Sequence, residues 1–367
     1  MRVIQILDSL NRGGAEIQVL ELCRNASNFG IEAIFVTFGD GELKEDFLRL
    51  DIPVVTLRRR MPFDLNLALK LRKVIKLYKA EIIHCYQPVE ALHAYVATLG
   101  SKVKRVLSFQ GFIQDEKNRI TAKFLTSRMH ANIVVSEGLR KWLKESAGLS
   151  ADNFYLVYNG ADEKRVTSNE KRLRTELNLR EELLFGMIAN FYRDPRKDQM
   201  TVCRSLPKIF FEVPNARCVF IGKVEAGAER KYQACIDFCR DRQIADKVYF
   251  LGPRKDIPEI LSSLDVFVFS SLHEGLPLAV SEAMLAGLPV VLSDIPPLLE
   301  ISQNGEYAVV FETQNEEDLA NKLIELLKNE QKRKLLGKKA KDFALKNFSI
   351  NAHLKKLKEL YSSLLSS

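Results

Sequence analysis

Two glutamates, Glu274 and Glu282, frame the stretch EGLPLAVSE, which holds the most informative chemistry of the sequence. Pro277 suits the first turn of a helix and Gly287 suits the position after its last turn, so a helix is expected to begin inside this stretch. The first backbone N–H groups of that helix, roughly those of Leu278 to Val280, have no partner within it and favour a bound phosphate. The flanking carboxylates can accept hydrogen bonds from vicinal hydroxyls, such as those of a ribose or a hexose. The stretch therefore predicts a site that holds sugar, diphosphate and ribose together.

The elements that must position this site alternate along the chain. Strand-like apolar runs are each followed by a helical pattern, which predicts parallel sheets with right-handed crossovers. The first series of runs is VIQIL, AIFVTF, EIIHCY, RVLSF, ANIVVS and FYLVYNG, and the second is LLFGMIAN, ARCVFIG, KVYFLG, DVFVFS, PVVLS and YAVVF. The predicted fold class is α/β, with two consecutive doubly wound sheets that bind ligands at the carboxyl ends of their strands.

The two series also give predicted domain bounds. Residues 1–163 form the first domain, the charged segment 164–182 is a linker, and residues 183–347 form the second domain. The helical pattern at 348–367 follows the second sheet and is expected to cross back to the first domain. A chain of 367 residues exceeds the roughly 250 to 300 residues at which a single core stops growing, which also favours two domains.

The composition limits the possible binding partners and the expected cellular compartment. The net charge of +8 and the pI near 9.0 admit nucleic acid, an anionic membrane or an anionic small substrate. The apolar runs are only strand-sized and the N-terminus lacks signal-peptide features, which predicts a cytoplasmic chain without a transmembrane segment. The six cysteines show no metal-ligand spacing and suit reduced thiols, with Cys235 and Cys239 packing on one helix face.

Several motifs resemble those of one known family. EGLPLAVSE closely resembles the E-x7-E signature of glycosyltransferase family 4, whose members are retaining enzymes of the GT-B architecture. LNRGGAEIQVLEL is similar to that family's Gly-Gly-Ala-Glu loop and helix, VYNGAD to its VYNG-x-D strand end, and FLGPRKDIPEIL to the loop whose backbone usually contacts the nucleotide base. The resemblance covers nearly the whole chain. It implies a GT-B fold of two Rossmann-like domains facing a cleft, and transfer of a sugar from a nucleotide diphosphate sugar to a glycan or polyprenyl-linked acceptor in cell-surface polysaccharide biosynthesis.

The resemblance also assigns residues to roles. The implied catalytic residues are Arg193, Lys197, Glu274 and Glu282. The implied donor contacts are Gly14, Arg196, Gly252, Arg254, Ile257, Gly275, Leu276, Pro277 and Leu278, with the base pocket at Leu251 to Ile257. The implied contacts to the acceptor or the sugar are Gly13, Gln110 and His273.

In this family an Arg followed by a Lys neutralises the leaving diphosphate in place of a metal ion. Lys197 in IANFYRDPRKDQM matches the Lys, whereas the commonest spacing to the Arg reaches Tyr192, and a small insertion or deletion moves it to Asn190 or Arg193. Arg193 is the favoured partner and Arg196 the alternative. Fixed cations there stabilise the charge that builds on the departing oxygen. No Asp-x-Asp pair stands at a strand end, so no metal cofactor is expected.

One position departs from the family pattern. Gln110, in SFQGF, occupies the place where many members carry the His of a His-Gly pair. Glutamine can bond a sugar hydroxyl but does not titrate, so the mechanism is not expected to use a proton shuttle there. His273 adjoins Glu274 and is a candidate contact to the sugar, whereas His84, also at a strand end, is more typical of a structural position.

The first domain, which usually holds the acceptor in GT-B enzymes, carries a basic cluster made of Arg58, Arg59, Arg60, Lys70, Arg72, Lys73, Lys76 and Lys79. The helix LNLALKLRKVIKLYKAE combines this charge with leucines. It either lies against anionic lipid, as a peripheral contact with the inner membrane face, or packs on the core with a solvated basic surface. No nucleic-acid partner is expected, because no aromatic residues alternate with the basic ones.

Other functions fit the same architecture. They are a nucleotide-sugar epimerase, a phosphorylase, and a non-catalytic protein that binds a nucleotide sugar. The joint presence of the E-x7-E pair, Lys197 and the Gly-Gly-Ala-Glu loop favours the transferase. Replacement of Lys197 or Glu282 by Ala is expected to lower turnover on the order of a hundredfold or more.

Overall fold

A computed structural model describes residues 1–113, 115–149 and 152–366. The chain divides into two compact units. The first unit contains Met1–Gly160 together with Ile350–Ser367, and the second contains Ala161–Ser349. The first boundary thus falls close to the predicted residue 163, and the C-terminal helix is part of the first unit.

The first unit is built on a seven-stranded parallel sheet. Its strands are β1 (Arg2–Leu7), β2 (Glu32–Thr37), β3 (Val54–Thr56), β4 (Ile82–Cys85), β5 (Lys104–Phe109), β6 (Ala131–Val134) and β7 (Phe154–Leu156), in the order β3-β2-β1-β4-β5-β6-β7. Its helices are α1 (Gly14–Asn25), α2 (Lys44–Leu48), α3 (Leu65–Leu77), α4 (Pro88–Ala97), α5 (Glu116–Thr126), α6 (Glu137–Glu145) and, from the end of the chain, α16 (Ile350–Ser366), with a 3-10 turn at Ala26–Phe29.

The second unit is built on a six-stranded parallel sheet. Its strands are β8 (Leu183–Ile188), β9 (Ala216–Ile221), β10 (Val248–Phe250), β11 (Val266–Phe269), β12 (Val290–Ser293) and β13 (Val309–Phe311), in the order β10-β9-β8-β11-β12-β13. Its helices are α7 (Glu163–Val166), α8 (Arg172–Glu176), α9 (Gln199–Glu212), α10 (Glu229–Asp241), α11 (Ile257–Ser263), α12 (Leu278–Leu285), α13 (Pro296–Ile301), α14 (Glu316–Lys328) and α15 (Glu330–Asn347), with a 3-10 turn at Ala245–Lys247.

The predicted fold class, two doubly wound parallel sheets, is confirmed. Strands such as β11, in which every residue is buried, read as continuous apolar runs because helices cover both faces of a parallel sheet. In each sheet the strand order reverses direction beside the first strand, β1 or β8. Crevices at such reversals, outside the carboxyl ends of the strands, are where doubly wound sheets bind ligands. In this chain such crevices lie at the ends of β1 and β4 and at the ends of β8 and β11.

Residues 164–182, predicted as a linker, belong instead to the second unit. Val166 and Leu173 are fully buried, so α7 and α8 are packed rather than exposed. Arg174 donates to the carbonyls of Ser263 and Glu182 at 2.9 and 2.8 Å and pairs with Asp265, which ties α8 to the sheet. The sequence suggested a linker because its many charges surround only a few apolar residues.

A buried polar cluster fixes α16 on the first sheet. The two ring nitrogens of His84 each lie 2.6 Å from a hydroxyl, that of Tyr361 on α16 and that of Ser108 on β5. Tyr86 donates its hydroxyl to Gln5 Oε1 at 2.7 Å. Burial lowers the pKa of His84 to about 3, so its ring is neutral at physiological pH. His84 therefore holds a structural position.

Candidate functional site

The loops after β8 and β11 are joined at the reversal point of the second sheet. The Leu272 amide donates to the Arg196 carbonyl at 2.8 Å, and the Asp198 amide donates to the Ser270 carbonyl at 3.1 Å. Lys197 and Ser271 form an isolated antiparallel bridge between the two loops. Backbone hydrogen bonds therefore fix the position from which the Lys197 side chain emerges.

Lys197 and Glu274 form an ion pair at this point. Lys197 Nζ lies 2.5 Å from Glu274 Oε1, and the side chains are only 11% and 10% exposed. Ser271 Oγ is 2.5 Å from the same carboxylate oxygen and 2.5 Å from the Arg196 carbonyl, so its single proton serves one acceptor at a time. The structure thus brings together two of the four predicted catalytic residues.

The surroundings of Lys197 are apolar on one side. Its ammonium group lies 4.2 Å from the centre of the Phe269 ring, a favourable cation–π geometry. Burial lowers the pKa of Lys197, while the charge of Glu274 acts in the opposite direction. Lys197 is therefore a positive charge partly removed from water, where its interaction with an anion is stronger than at the surface.

The two candidate arginines differ in what they contact. Arg196 pairs with Asp194 at 2.7 Å and stacks on the Tyr192 ring with its guanidinium 4.7 Å from the ring centre. The hydrogen bond to Asp194 raises the pKa of Arg196. Arg193 is exposed, and no ion pair to it is found within the described residues. Arg193 is thus the more available of the two for an anionic ligand.

The helix predicted after Pro277 is α12, which begins at Leu278 with Pro277 as its N-cap. The Val280 and Ser281 amides donate to the Pro277 carbonyl at 3.1 and 3.4 Å, so Val280, predicted to have a free N–H, is satisfied within the turn. Within the described part of the chain, no hydrogen bond from the Leu278 and Ala279 amides is found. These two remain as donors for an anion.

Solvent reaches only a few residues of the turn that begins α12. Gly275, Leu276, Pro277 and Leu278 are buried, whereas His273, Glu274 and Ala279 are half-buried. The predicted donor contacts at 275–278 are therefore not exposed, and the half-buried residues form the edge that solvent reaches.

Glu282 lies in a different ion pair from Glu274. On α12 it follows Leu278 by four residues, so both lie on one face, and helical side chains lean toward the N-terminal end. Arg165 Nη2 on α7 donates to Glu282 Oε1, and the two side chains are 26% and 12% exposed. Sequence analysis missed Arg165, which is 117 residues away and belongs to none of the motifs.

The predicted base loop is held by an ion-pair network. Arg254 contacts Glu176 at 2.7 and 2.8 Å and Asp256 at 2.8 and 2.6 Å, and these partners raise its pKa. Its guanidinium is thus committed to protein carboxylates rather than open to a ligand. Gly252 has φ of +65°, a left-handed conformation that favours glycine, and Ile257 begins α11. Arg254 shapes this loop.

Two of the three predicted contacts to the acceptor or the sugar, Gly13 and Gln110, lie in the first unit, whereas His273 lies in the second. Gly13 is the N-cap of α1, which begins at Gly14. A Cβ atom at Gly13 would lie 2.5 Å from a carboxylate oxygen of Glu16, so the glycine allows that side chain to fold over the turn. Gln110 accepts a hydrogen bond from Asn159 Nδ2 at 2.9 Å, which links the SFQGF and VYNG motifs.

The reversal point of the first sheet holds a carboxyl group that sequence analysis did not single out. Glu90 on α4 is fully buried and accepts from the backbone amides of Asp8 at 2.6 Å, Tyr86 at 2.6 Å and Gln87 at 3.0 Å. Burial raises the pKa of Glu90 to about 8, and the amides oppose that shift. Asp8 itself pairs with Arg59, one member of the predicted basic cluster, at 2.7 Å.

A cavity of about 290 Å³ adjoins Lys197 in the second unit. Its walls include Phe191, Pro195, Lys231, Cys235, Leu272 and Gln314. Sequence analysis placed no ligand here, because these residues come from four separate segments and share no motif.

Over 1–113, 115–149 and 152–366, no three His, Cys, Asp or Glu residues are grouped to hold a metal ion. Over the same ranges, no helix combines the length and the apolar character needed to cross a membrane.

Both halves of the chain match models of known glycosyltransferase families. Residues 12–165 match Glycosyltransferase Family 4, and residues 168–343 match Glycosyl transferases group 1. The chain is 24% identical, over 96% of its length and 94% of the relative's, to N-acetyl-alpha-D-glucosaminyl L-malate synthase of Bacillus anthracis. It is also 24% identical, over 81% of its length and 79% of the relative's, to an Escherichia coli UDP-Gal:alpha-D-GlcNAc-diphosphoundecaprenol alpha-1,3-galactosyltransferase.

Solved structures share the fold at low sequence identity. Anabaena HepE in complex with UDP and glucose superposes with a TM-score of 0.85 at 20% identity, over 99% of this chain and 100% of that one. A glycosyltransferase from Rickettsia africae gives a TM-score of 0.88 at 18% identity, over 100% and 99%. With matches to family models in both units and a shared fold along the whole chain, the chain belongs to glycosyltransferase family 4.

Proposed function

We propose that this chain transfers a sugar from a nucleotide diphosphate sugar to a hydroxyl acceptor, with retention of anomeric configuration and without a metal ion. The observation that carries the proposal is the buried ammonium of Lys197, held by Glu274 at the carboxyl edge of β8 and β11. Phosphate chemistry needs positive charge at that place, and Lys197 together with the Leu278 and Ala279 amides supplies it.

The proposed reaction needs only the nucleotide diphosphate sugar and the acceptor hydroxyl. The bond between sugar C1 and the diphosphate oxygen breaks, and a bond from C1 to the acceptor oxygen forms on the same face. The acceptor proton passes to the departing phosphate oxygen. Lys197 stabilises the negative charge that develops there, and Arg193 is the proposed second cation, with Arg196 as the alternative.

The proposed acceptor is a glycan or a polyprenyl-linked sugar used in cell-surface polysaccharide biosynthesis. The name of the Escherichia coli relative specifies a diphosphoundecaprenol acceptor. So does the name of a Campylobacter jejuni N-acetylgalactosaminyltransferase that is 27% identical over 72% of this chain and 67% of the relative. Such acceptors reside in membranes, so the enzyme must reach the bilayer surface.

The first unit offers a surface for that contact, which we call the α3 face. Its apolar members, Met61, Phe63, Leu65 and Leu69, are between 44% and 58% exposed. Its basic members, Arg58, Arg60, Lys70, Lys73 and Lys76, are exposed as well. The opposite side of α3 is buried through Leu67, Leu71 and Ile75. Apolar side chains beside lysines and arginines favour an anionic lipid surface, so we propose peripheral contact with the inner face of the cytoplasmic membrane.

Sedimentation with vesicles tests the α3 face. The wild type should sediment with phosphatidylglycerol vesicles and less with phosphatidylcholine vesicles, and Phe63→Glu together with Leu69→Glu should abolish the binding. Phe211→Glu is the matched control, because Phe211 is 82% exposed on α9 of the second unit. If the wild type binds neither kind of vesicle, the proposal of membrane contact is wrong, whereas the proposal of glycosyl transfer is unaffected.

A thermal-shift screen over nucleotide diphosphate sugars tests the donor site, because a ligand that binds the native state raises the apparent melting temperature. The sugar that gives the largest shift is then used as donor with excess chelator, and proton NMR reads the anomeric configuration of the product. Retention and undiminished turnover are expected. A product of inverted configuration, or loss of turnover with the chelator, would contradict the proposal. Conversion of the donor without any acceptor would indicate an epimerase instead.

A further inference from the structure

The partner of Glu282 lies outside every motif that led to the site. Arg165 is on α7, a helix of one turn at the start of the second unit, and its Nη2 donates to Glu282 Oε1. Both side chains are mostly buried, at 26% and 12% exposure. Removing the cation from such a pair leaves a carboxylate that is short of both water and counter-charge.

Three contacts on other residues hold α7 in place. Asp162 caps its N-terminus by accepting from the Lys164 amide at 3.0 Å, and Glu163 pairs with Lys341 on α15 at 3.2 Å. Just before the helix, the Ala161 amide donates to the Phe348 carbonyl at 2.9 Å, and Val166 is fully buried. The backbone that carries Arg165 is thus held in place independently of the contact with Glu282.

The carboxylate that Arg165 contacts lies one helical turn from the proposed anion-binding amides of α12. Glu282 lies one turn into α12 on the face of Leu278, and its side chain leans toward the amides of Leu278 and Ala279. A diphosphate bound at those amides brings its ribose within reach of the next turn of the helix. A carboxylate has about four lone-pair positions, so it can accept from a ribose diol while one oxygen is bonded to Arg165.

We infer that Arg165 is a positioning residue for ribose recognition: it orients the Glu282 carboxylate so that both hydroxyls of a nucleoside diphosphate can donate to it. This inference rests on the proposed function, since it assumes a nucleotide donor. The guanidinium fixes the carboxylate in one rotamer, and the site then distinguishes a ribose from a deoxyribose. Arg165 acts on donor binding and not on the reacting carbon.

Calorimetric titration with UDP, GDP and ADP and their 2′-deoxy counterparts tests the inference. The wild type should bind the ribonucleotide at least about tenfold more tightly than the deoxynucleotide, the value of one hydrogen bond to a charged group. In Arg165→Met that preference should fall below about threefold, because a loose carboxylate discriminates poorly. The KM for the donor should rise with little change in kcat, and Arg165→Lys should restore part of the preference.

The control is Lys341→Met, which removes the other ion pair of α7 without touching Glu282. It should keep the wild-type preference for ribose. If Arg165→Met stays folded and keeps that preference, or if Lys341→Met loses it equally, Arg165 does not position Glu282. If the wild type binds none of the six nucleotides, the proposed function itself fails, which separates the two outcomes.

Discussion

The two sheets reverse strand order in the same way, yet the two reversal points are filled differently. In the first unit, the carboxyl group of Glu90 accepts from the amides of Asp8, Tyr86 and Gln87. In the second unit, Lys197 and Glu274 face each other, and the Leu278 and Ala279 amides keep no hydrogen bond among the described residues. The same topology therefore gives one crevice in which a protein carboxyl group accepts from three backbone amides, and one in which the first two amides of α12 have no protein acceptor among the described residues. The side chains at the strand ends, not the strand order, make the two crevices chemically different.

The largest expected effect comes from Lys197→Ala. Loss of a fixed cation beside a developing negative charge should lower kcat a hundredfold or more, which is at least about 2.7 kcal/mol. The melting temperature should fall as well, because Glu274 is only 10% exposed and loses its counter-charge, so kcat is compared per folded molecule. Steady-state kinetics with the donor found in the thermal-shift screen measure the effect, and circular dichroism checks the fold.

The second largest expected effect is a loss of stability caused by a substitution in the first unit. Glu90→Leu leaves buried amides without an acceptor and should lower the free energy of unfolding by about 2 kcal/mol or more. Turnover per folded molecule should not show a comparable loss. Urea unfolding gives the stability, with Glu90→Gln as the milder control because it keeps one acceptor oxygen. A strong loss of donor binding in folded Glu90→Leu would place phosphate chemistry at both reversal points and end the distinction between them.

The fold could be predicted from sequence, because continuous apolar runs reveal the strands of the two sheets. Lys197 and the E-x7-E stretch were singled out through their resemblance to family motifs, and the structure joins Lys197 and Glu274 in one ion pair. The pairing of Arg165 with Glu282 could not be predicted, since 117 residues separate them. The same holds for the contact of Glu90 with the Asp8 amide, 82 residues away, whereas its contacts with Tyr86 and Gln87 are local. The short half-buried strand β3 and the packed segment 164–182 were missed for a related reason, because each has few apolar residues to give a pattern.

A smaller effect separates the two arginines of the second crevice. Arg193→Ala should lower kcat about tenfold, as expected for loss of one contact to a charged group. Arg196→Ala should cost less, because its guanidinium is already paired with Asp194. The two variants are measured side by side under identical conditions. The reverse order would assign the second cation to Arg196.

The smallest effect is a shift of a pH profile. Burial lowers the pKa of Lys197, and the reaction needs its charged form, so kcat should decline with rising pH at a lower pH than for an exposed lysine. Lys197→Arg stays charged over this range and should not show that decline, although its kcat at neutral pH is reduced. Profiles of kcat from neutral to alkaline pH compare the two proteins. An alkaline decline that is the same in both would assign it to another group.

Rescue of Lys197→Ala by ethylammonium tests most directly whether the charge of Lys197 drives the reaction. Lys197 is one of the residues that line the cavity of about 290 Å³, which is large enough to admit a small cation. Ethylammonium should raise the turnover of Lys197→Ala in a saturable manner and leave the wild type and Arg196→Ala unchanged. A folded Lys197→Ala protein that binds the donor and turns over at nearly the wild-type rate, with no added amine, would contradict the account.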